Sequence, residues 1–293
     1  VHITYNTTKD FDEAVSLIEK KVGEAVDFVD GIIFEKNRGV VIVGNFTDKK
    51  DLLVSTFSKA SDEWFYIHAD KISKRHEEYE EIIPIKDYLF RYDRGGFWMG
   101  KYGFNFLRVP FNRFTRFIFN SFCTTRALYR SLHSANFSQK YLIQDISLPK
   151  EGVVHLLEYI EKNLHTYPIW LCPLKTGNQD KLSPNCLKTN LVINVGVWGE
   201  VKKDFSQFVE LNRELERFVE NLGGRKVLYA HAYYSRDEFW KIYDLEWYNT
   251  LRDKYQANIT FPDIFEKTFV SREYKQTILG GLYGLIKSPF KVS

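Results

Sequence analysis

Two stretches of this chain carry the same succession of signals, strand, helix, strand, strand, and that repetition limits the fold more than any other feature. Residues 2–5 are short and β-prone. Residues 10–22 then place Phe11, Ala14, Val15, Ile18 and Val22 close to helical spacing, with Thr8 or Asp10 available as a cap. Residues 28–34 and 40–46 are β-rich runs around a polar turn that ends at Gly39. The second unit opens with a strand over 141–146. A helix starts at Pro149 and runs through Val153, Leu156, Leu157, Ile160 and Leu164. Strands follow over 168–174 and 191–198, with a polar loop at 177–189 between them. A further helix over 205–222 stops at Gly223-Gly224 and returns into a strand over 226–233. Hairpin-linked strands with helices laid on one face imply an α+β fold with an antiparallel sheet.

Residues 87–139 break the pattern. They are rich in Arg and Phe and read as an insertion of helices and loops. Residues 235–270 read as a helical C-terminal segment, and 288–293 as a frayed end. One domain over 1–293 accommodates all of this. The chain begins at Val1, and its one methionine is Met99, so a further segment is expected upstream.

Composition narrows the function. The 41 basic and 38 acidic residues nearly balance at a net charge of +3, which gives no support to nucleic-acid binding. Cys123, Cys172 and Cys186 lie far apart, and the seven histidines are scattered, so no metal site is expected. The longest late apolar run, 278–286, is too short to cross a bilayer, for which about 20 residues are needed. No Walker loop, G-x-S-x-G or G-x-G-x-x-G is present, so the chain carries no self-sufficient active site.

Three groups of residues remain as candidates. Alternation along a strand at 226–233 would put Tyr229, His231 and Tyr233 on one face, where they could meet a flat ligand or donate a proton. They could equally form the hydrated face of an ordinary sheet. Arg94, ahead of Gly95-Gly96, could meet an anionic or flat ligand with its guanidinium fork, or could simply hold a turn. Phe97, Trp98 and Trp170 could line an apolar slot. Cys172 has no flanking base or cation and reads as a structural thiol.

The run Tyr167-Pro168-Ile169-Trp170-Leu171-Cys172-Pro173 resembles a signature of the Δ24-sterol reductase family, the Diminuto/Dwarf and 24-dehydrocholesterol reductase relatives. Asp87 through Trp98, Gln144-Asp145, Asn194 through Gly199, Leu228-Tyr229-Ala230 and Glu238-Phe239-Trp240 fall in the same order. The resemblance implies the cap domain of a vanillyl-alcohol-oxidase-type flavoprotein, with an FAD-binding domain upstream. It implies reduction of the C24=C25 bond of a sterol by NADPH through FAD, in a protein held at the endoplasmic reticulum membrane by its N-terminal region. On that basis Tyr233 or His231 is expected as the proton source, Tyr229 and Arg94 as cofactor contacts, and Phe97, Trp98 and Trp170 as substrate contacts. The chain departs from the family at His231 and over 99–104. A flavin oxidase of a sugar, alcohol or lactone, and a non-catalytic lipid-binding or interaction module, are the alternatives.

Overall fold

The computed structural model describes residues 1–48, 51–177, 181–270, 272–275 and 277–287. The first half of the chain holds β1 (His2–Thr8), α1 (Phe11–Val22), β2 (Phe28–Glu35), β3 (Arg38–Asn45), α2 (Phe65–Ser73) and β4 (Glu78–Ile82). The insertion holds α3 (Ile85–Leu89), α4 (Met99–Phe106), α5 (Arg113–Ile118) and α6 (Thr125–Ser134). The second half holds β5 (Tyr141–Pro149), α7 (Lys150–Asn163), β6 (Ile169–Leu174), β7 (Val192–Glu200), α8 (Phe205–Asn221) and β8 (Arg225–Lys226). The tail adds α9 (Arg236–Ile242), α10 (Leu245–Lys254), α11 (Ile264–Thr268) and α12 (Ile278–Lys287).

Among the described residues, eight strands make one sheet in the order β4-β1-β3-β2-β6-β7-β5-β8, and every neighbouring pair is antiparallel. The first four positions, read from the outer edge inward, have the same topology as the last four. The halves join where Gly31, Ile32 and Ile33 pair with Leu171, Trp170 and Ile169. The α+β class and the antiparallel sheet are therefore as expected.

Three expectations need correction. First, the earlier half also continues into a helix and a strand. β4 reads Glu78-Tyr79-Glu80-Glu81-Ile82, and a charged edge strand shows little of the apolar alternation that marks a strand in sequence. Second, helices cover both faces of the sheet. Ile18 of α1, Leu156 and Ile160 of α7 and Leu215 of α8 share one apolar core. On the other face α2 packs with Tyr5, Ile42 and Trp64, together with Trp98 and other insertion residues. The equivalents α2 and α8 thus lie on opposite faces, and over β5 and β7 the insertion stands where α2 stands over β1 and β3.

Third, the strand expected over 226–233 ends at Lys226. The buried Lys226 Nζ donates to Glu216 Oε1 at 2.7 Å and to the carbonyl of His231 at 2.6 Å. The same Glu216 oxygen accepts the Tyr233 N–H at 2.9 Å. These bonds hold a turn, and beyond it the backbone pairs at an isolated bridge between Ala232 and Phe269. Parts of the 177–189 loop (178–180) and all of 288–293 lie outside the described residues. The apolar run at 278–286 forms α12, and no described helix is long and apolar enough to cross a membrane.

Candidate functional site

Because β8 pairs only with Ile146 and Ser147, the edge of β5 from Tyr141 to Gln144 has no strand neighbour. A cavity of about 570 Å³ opens there, between the sheet, α4, α6 and α12. That is within the range of about 300–1,000 Å³ found for ligand pockets. Its walls are almost wholly apolar. Gly103 borders it with nothing within 4 Å of where a Cβ would stand, so the helix α4 leaves space on this side.

The sheet wall is aromatic. Phe97 stacks on Tyr92 with ring centroids 4.2 Å apart and reaches Trp198 at 4.5 Å. The turn that presents it needs left-handed backbone at Gly95 (φ 90°), Gly96 (φ 50°) and Phe97 itself (φ 59°). A Cβ at Gly95 would lie 2.5 Å from the Trp64 ring, so the glycine is required by space as well as by φ. Trp170 completes the wall, and its indole N–H donates to Asp30 at 3.1 Å. Asp30 also accepts from Tyr92 and Arg91, which fixes the ring plane from behind.

One polar cluster faces this wall. Tyr229 is 55% exposed, with its ring open to the cavity and its hydroxyl engaged. The hydroxyl donates to Asp145 Oδ2 at 2.5 Å and accepts the Trp198 indole N–H at 3.2 Å. Asn194 donates to the other Asp145 oxygen at 2.9 Å. Burial raises the Asp145 carboxyl above the usual carboxylate range, against the opposing pull of the Tyr229 and Asn194 bonds. Burial, and then the Asp145 charge, push the Tyr229 phenol well above its ordinary value. The pair can hold a proton on the carboxyl nearer neutrality than an exposed aspartate would. Around the β5 edge, Gln144 donates to Asn212 at 2.9 Å, while its buried Oε1 has no protein partner. That oxygen offers an acceptor to an N–H or O–H of a bound molecule.

The structure brings together Tyr229, His231, Tyr233, Phe97 and Trp170, which all border the cavity. They do so from a turn and two layers, not from one strand face. Tyr233 is buried and packs edge-on to Phe208. Trp98 stands one layer back. It is buried, with its indole N–H on the Trp198 carbonyl at 2.9 Å, and supports the wall from behind. Arg94 stands apart from the cavity. Its guanidinium is buried and bonded to the carbonyls of Phe57, Ala60 and Asp62 and to the Asn120 side chain. It holds the loop before α2 through these carbonyls. Sequence reasoning did not single out Asp145, Asn194 or Trp198 as site residues. The available signal was the polar residues Gln144, Asp145 and Ser147 inside β5 and Asn194 inside β7.

Burial lowers His231 to about 4, helped by the positive charges of His133 and Lys226. A histidine with a depressed folded value stays neutral while the unfolded chain already takes up a proton. Its contribution to stability is complete above about 6.5 and is lost as pH falls towards 4. His231→Gln is therefore expected to lose less stability than the wild type between those pH values, as read from urea midpoints. A parallel pH dependence for the two would show that His231 does not titrate in this way.

The fold is thus an antiparallel sheet with helices on both faces and an aromatic-walled chamber that borders one carboxyl–phenol pair. Sequence comparison gives its relatives. The chain is 28% identical over 284 residues to a Delta(24)-sterol reductase homolog of Caenorhabditis elegans, covering 91% of this chain and 53% of that protein. It is 28% identical over 251 residues to the human Delta(24)-sterol reductase, covering 82% and 47%, and 25% identical over 286 residues to that of Arabidopsis thaliana, covering 86% and 49%. No protein-family model matches the chain. The chain is thus similar to the Δ24-sterol reductases along most of its length, as its motifs imply, and it spans about half the length of the curated relatives it matches.

Proposed function

We propose that this chain is the substrate side of an FAD-dependent Δ24-sterol reductase, folded as the cap of a vanillyl-alcohol-oxidase-type flavoprotein. The observation that carries the reading is an apolar chamber of about 570 Å³ with a carboxyl–phenol pair at its aromatic wall. A sterol is a large apolar body and matches such walls. A polyol or lactone would leave its oxygens without partners there, which argues against the sugar or alcohol oxidase.

Nothing among the described residues cradles a dinucleotide, and Arg94 is already committed to carbonyls. A flat ring system does fit. The open face of Tyr229, the Trp170 and Trp198 rings and the orphan Gln144 acceptor would border it. The bulk of FAD, and NADPH as donor, then belong to the rest of the longer polypeptide, which would also hold it at the endoplasmic reticulum membrane. Flavin, when bound, supplies hydride chemistry. This chain's residues do the rest. The rings orient the alkene and exclude water, and Asp145 holds the proton that completes addition across the double bond, with Tyr229 fixing its position. In this reading the pair takes the role first expected of Tyr233 or His231. His231 is neutral above about pH 4, and a neutral imidazole is a weak acid.

Sterol binding tests the reading directly, because Trp170 and Trp198 border the chamber. A C24-unsaturated sterol should shift their fluorescence saturably. Gly103→Leu, whose Cβ would meet nothing within 4 Å, should weaken that binding about 10–200-fold, the effect of a misplaced methylene group or two in an apolar pocket. Thermal stability should not fall, since leucine is the better helix former. Undiminished sterol affinity in Gly103→Leu would exclude the chamber as the binding site.

A further inference from the structure

From Arg94 to Gln144 the chain has eight lysines and arginines and no aspartate or glutamate in 51 residues, although the whole sequence carries 38 acidic residues. This segment makes up the wall of the cavity that faces away from the sheet. Its helix α5 is built inside out. Phe114, Phe117 and Ile118, at i, i+3 and i+4, form its exposed face at 70, 53 and 53% accessibility. Arg116 points inward instead and lies over the Phe111 ring at 4.9 Å.

α12 repeats the arrangement. Its glycines 280, 281 and 284 lie close against α6, and Leu279, Leu282 and Tyr283 are exposed. Leu107, Phe119, Tyr129 and Leu282 are both exposed and part of the cavity wall, so they form its rim. Lys101, Arg108, Arg113 and Arg126 are exposed on the same segment.

Apolar helical faces turned to solvent are unfavourable unless something covers them. Of the surfaces that could, an anionic lipid bilayer matches both properties. Rings and aliphatic chains enter the boundary of the acyl region, and the arginines meet the phosphates. We propose that α5, α12 and the cavity rim dock peripherally on an anionic membrane surface. Docking there sets the mouth of an apolar chamber against the phase in which apolar molecules dissolve. The proposal does not depend on the identity of the ligand in the chamber.

Co-sedimentation of the 293-residue chain with phosphatidylcholine vesicles, with and without phosphatidylserine, tests this. Binding should require phosphatidylserine and weaken at high salt. Phe114→Ser/Phe117→Ser/Ile118→Ser should lower the partition coefficient at least about tenfold. Arg113→Glu/Arg126→Glu, which leaves the apolar face intact, should lower it about fivefold or more per charge. Both sets lie on exposed positions, and an unchanged near-ultraviolet circular dichroism spectrum checks the fold. Absence of binding at low salt, or equal binding by wild type and both variants, overturns the proposal. So does sedimentation by the chain but not by the longer polypeptide, because the face is then covered by the rest of that protein.

Discussion

Asp145→Asn, made in the longer flavin-bearing polypeptide that the proposed function requires, should lower the rate of the proposed alkene reduction about 10²–10⁴-fold, the usual loss on removing a general acid. Asparagine is nearly isosteric and keeps one acceptor oxygen for Tyr229 or Asn194, while its amide nitrogen can only donate at the other position, so sterol affinity and flavin content should stay near wild type. Tyr229→Phe should lower the rate as well, by less, since it removes the bond that fixes the carboxyl and not the carboxyl itself. Reduction of the flavin by NADPH, measured alone, should be unaffected in both. The half-reactions therefore separate a proton-transfer defect from a failure to bind cofactor. Full turnover in Asp145→Asn would remove Asp145 from the chemistry and return attention to Tyr233, which borders the same cavity.

The second large effect is structural. Lys226 and Glu216 are both buried, with side chains 3% and 5% accessible. Burial drives the carboxyl up and the ammonium down, and the 2.7 Å bond between them offsets part of that. Lys226→Ala leaves Glu216 without its counter-charge, which typically costs about 3–5 kcal/mol. It also frees the His231 carbonyl and loosens the turn that carries Tyr229. Urea unfolding should show the full loss. Lys226→Met combined with Glu216→Gln should recover much of it, because the unpaired charge is gone. A loss under about 1 kcal/mol in Lys226→Ala would mean that Glu216 is solvated or protonated at little cost.

The legible parts of the fold were those set by local periodicity. α1, α7 and α8 follow their apolar stripes, and the cap at Asp10 accepts from Glu13 as such residues do. The hairpins β2–β3 and β6–β7 follow their β-branched runs. β4 was not legible because it is an edge strand made of glutamates. The 226–233 segment misled for the opposite reason. Its alternation of rings and small residues is strand-like, but the buried ion pair between Lys226 and Glu216 of α8 turns it. Such long-range bonds leave no periodic trace in the sequence. The chamber itself was visible only as a list of aromatic residues, since the side of the sheet that α8 takes decides whether they enclose space.

That choice of side has a structural economy. The two repeats share a strand order, and a single relocated helix converts a filled sandwich into a container. No strand is lost and no core layer is thinned, so the receptacle carries no debt in hydrogen bonds. In the first repeat α2 covers the face that the insertion covers in the second, so the receptacle lies where the two repeats differ.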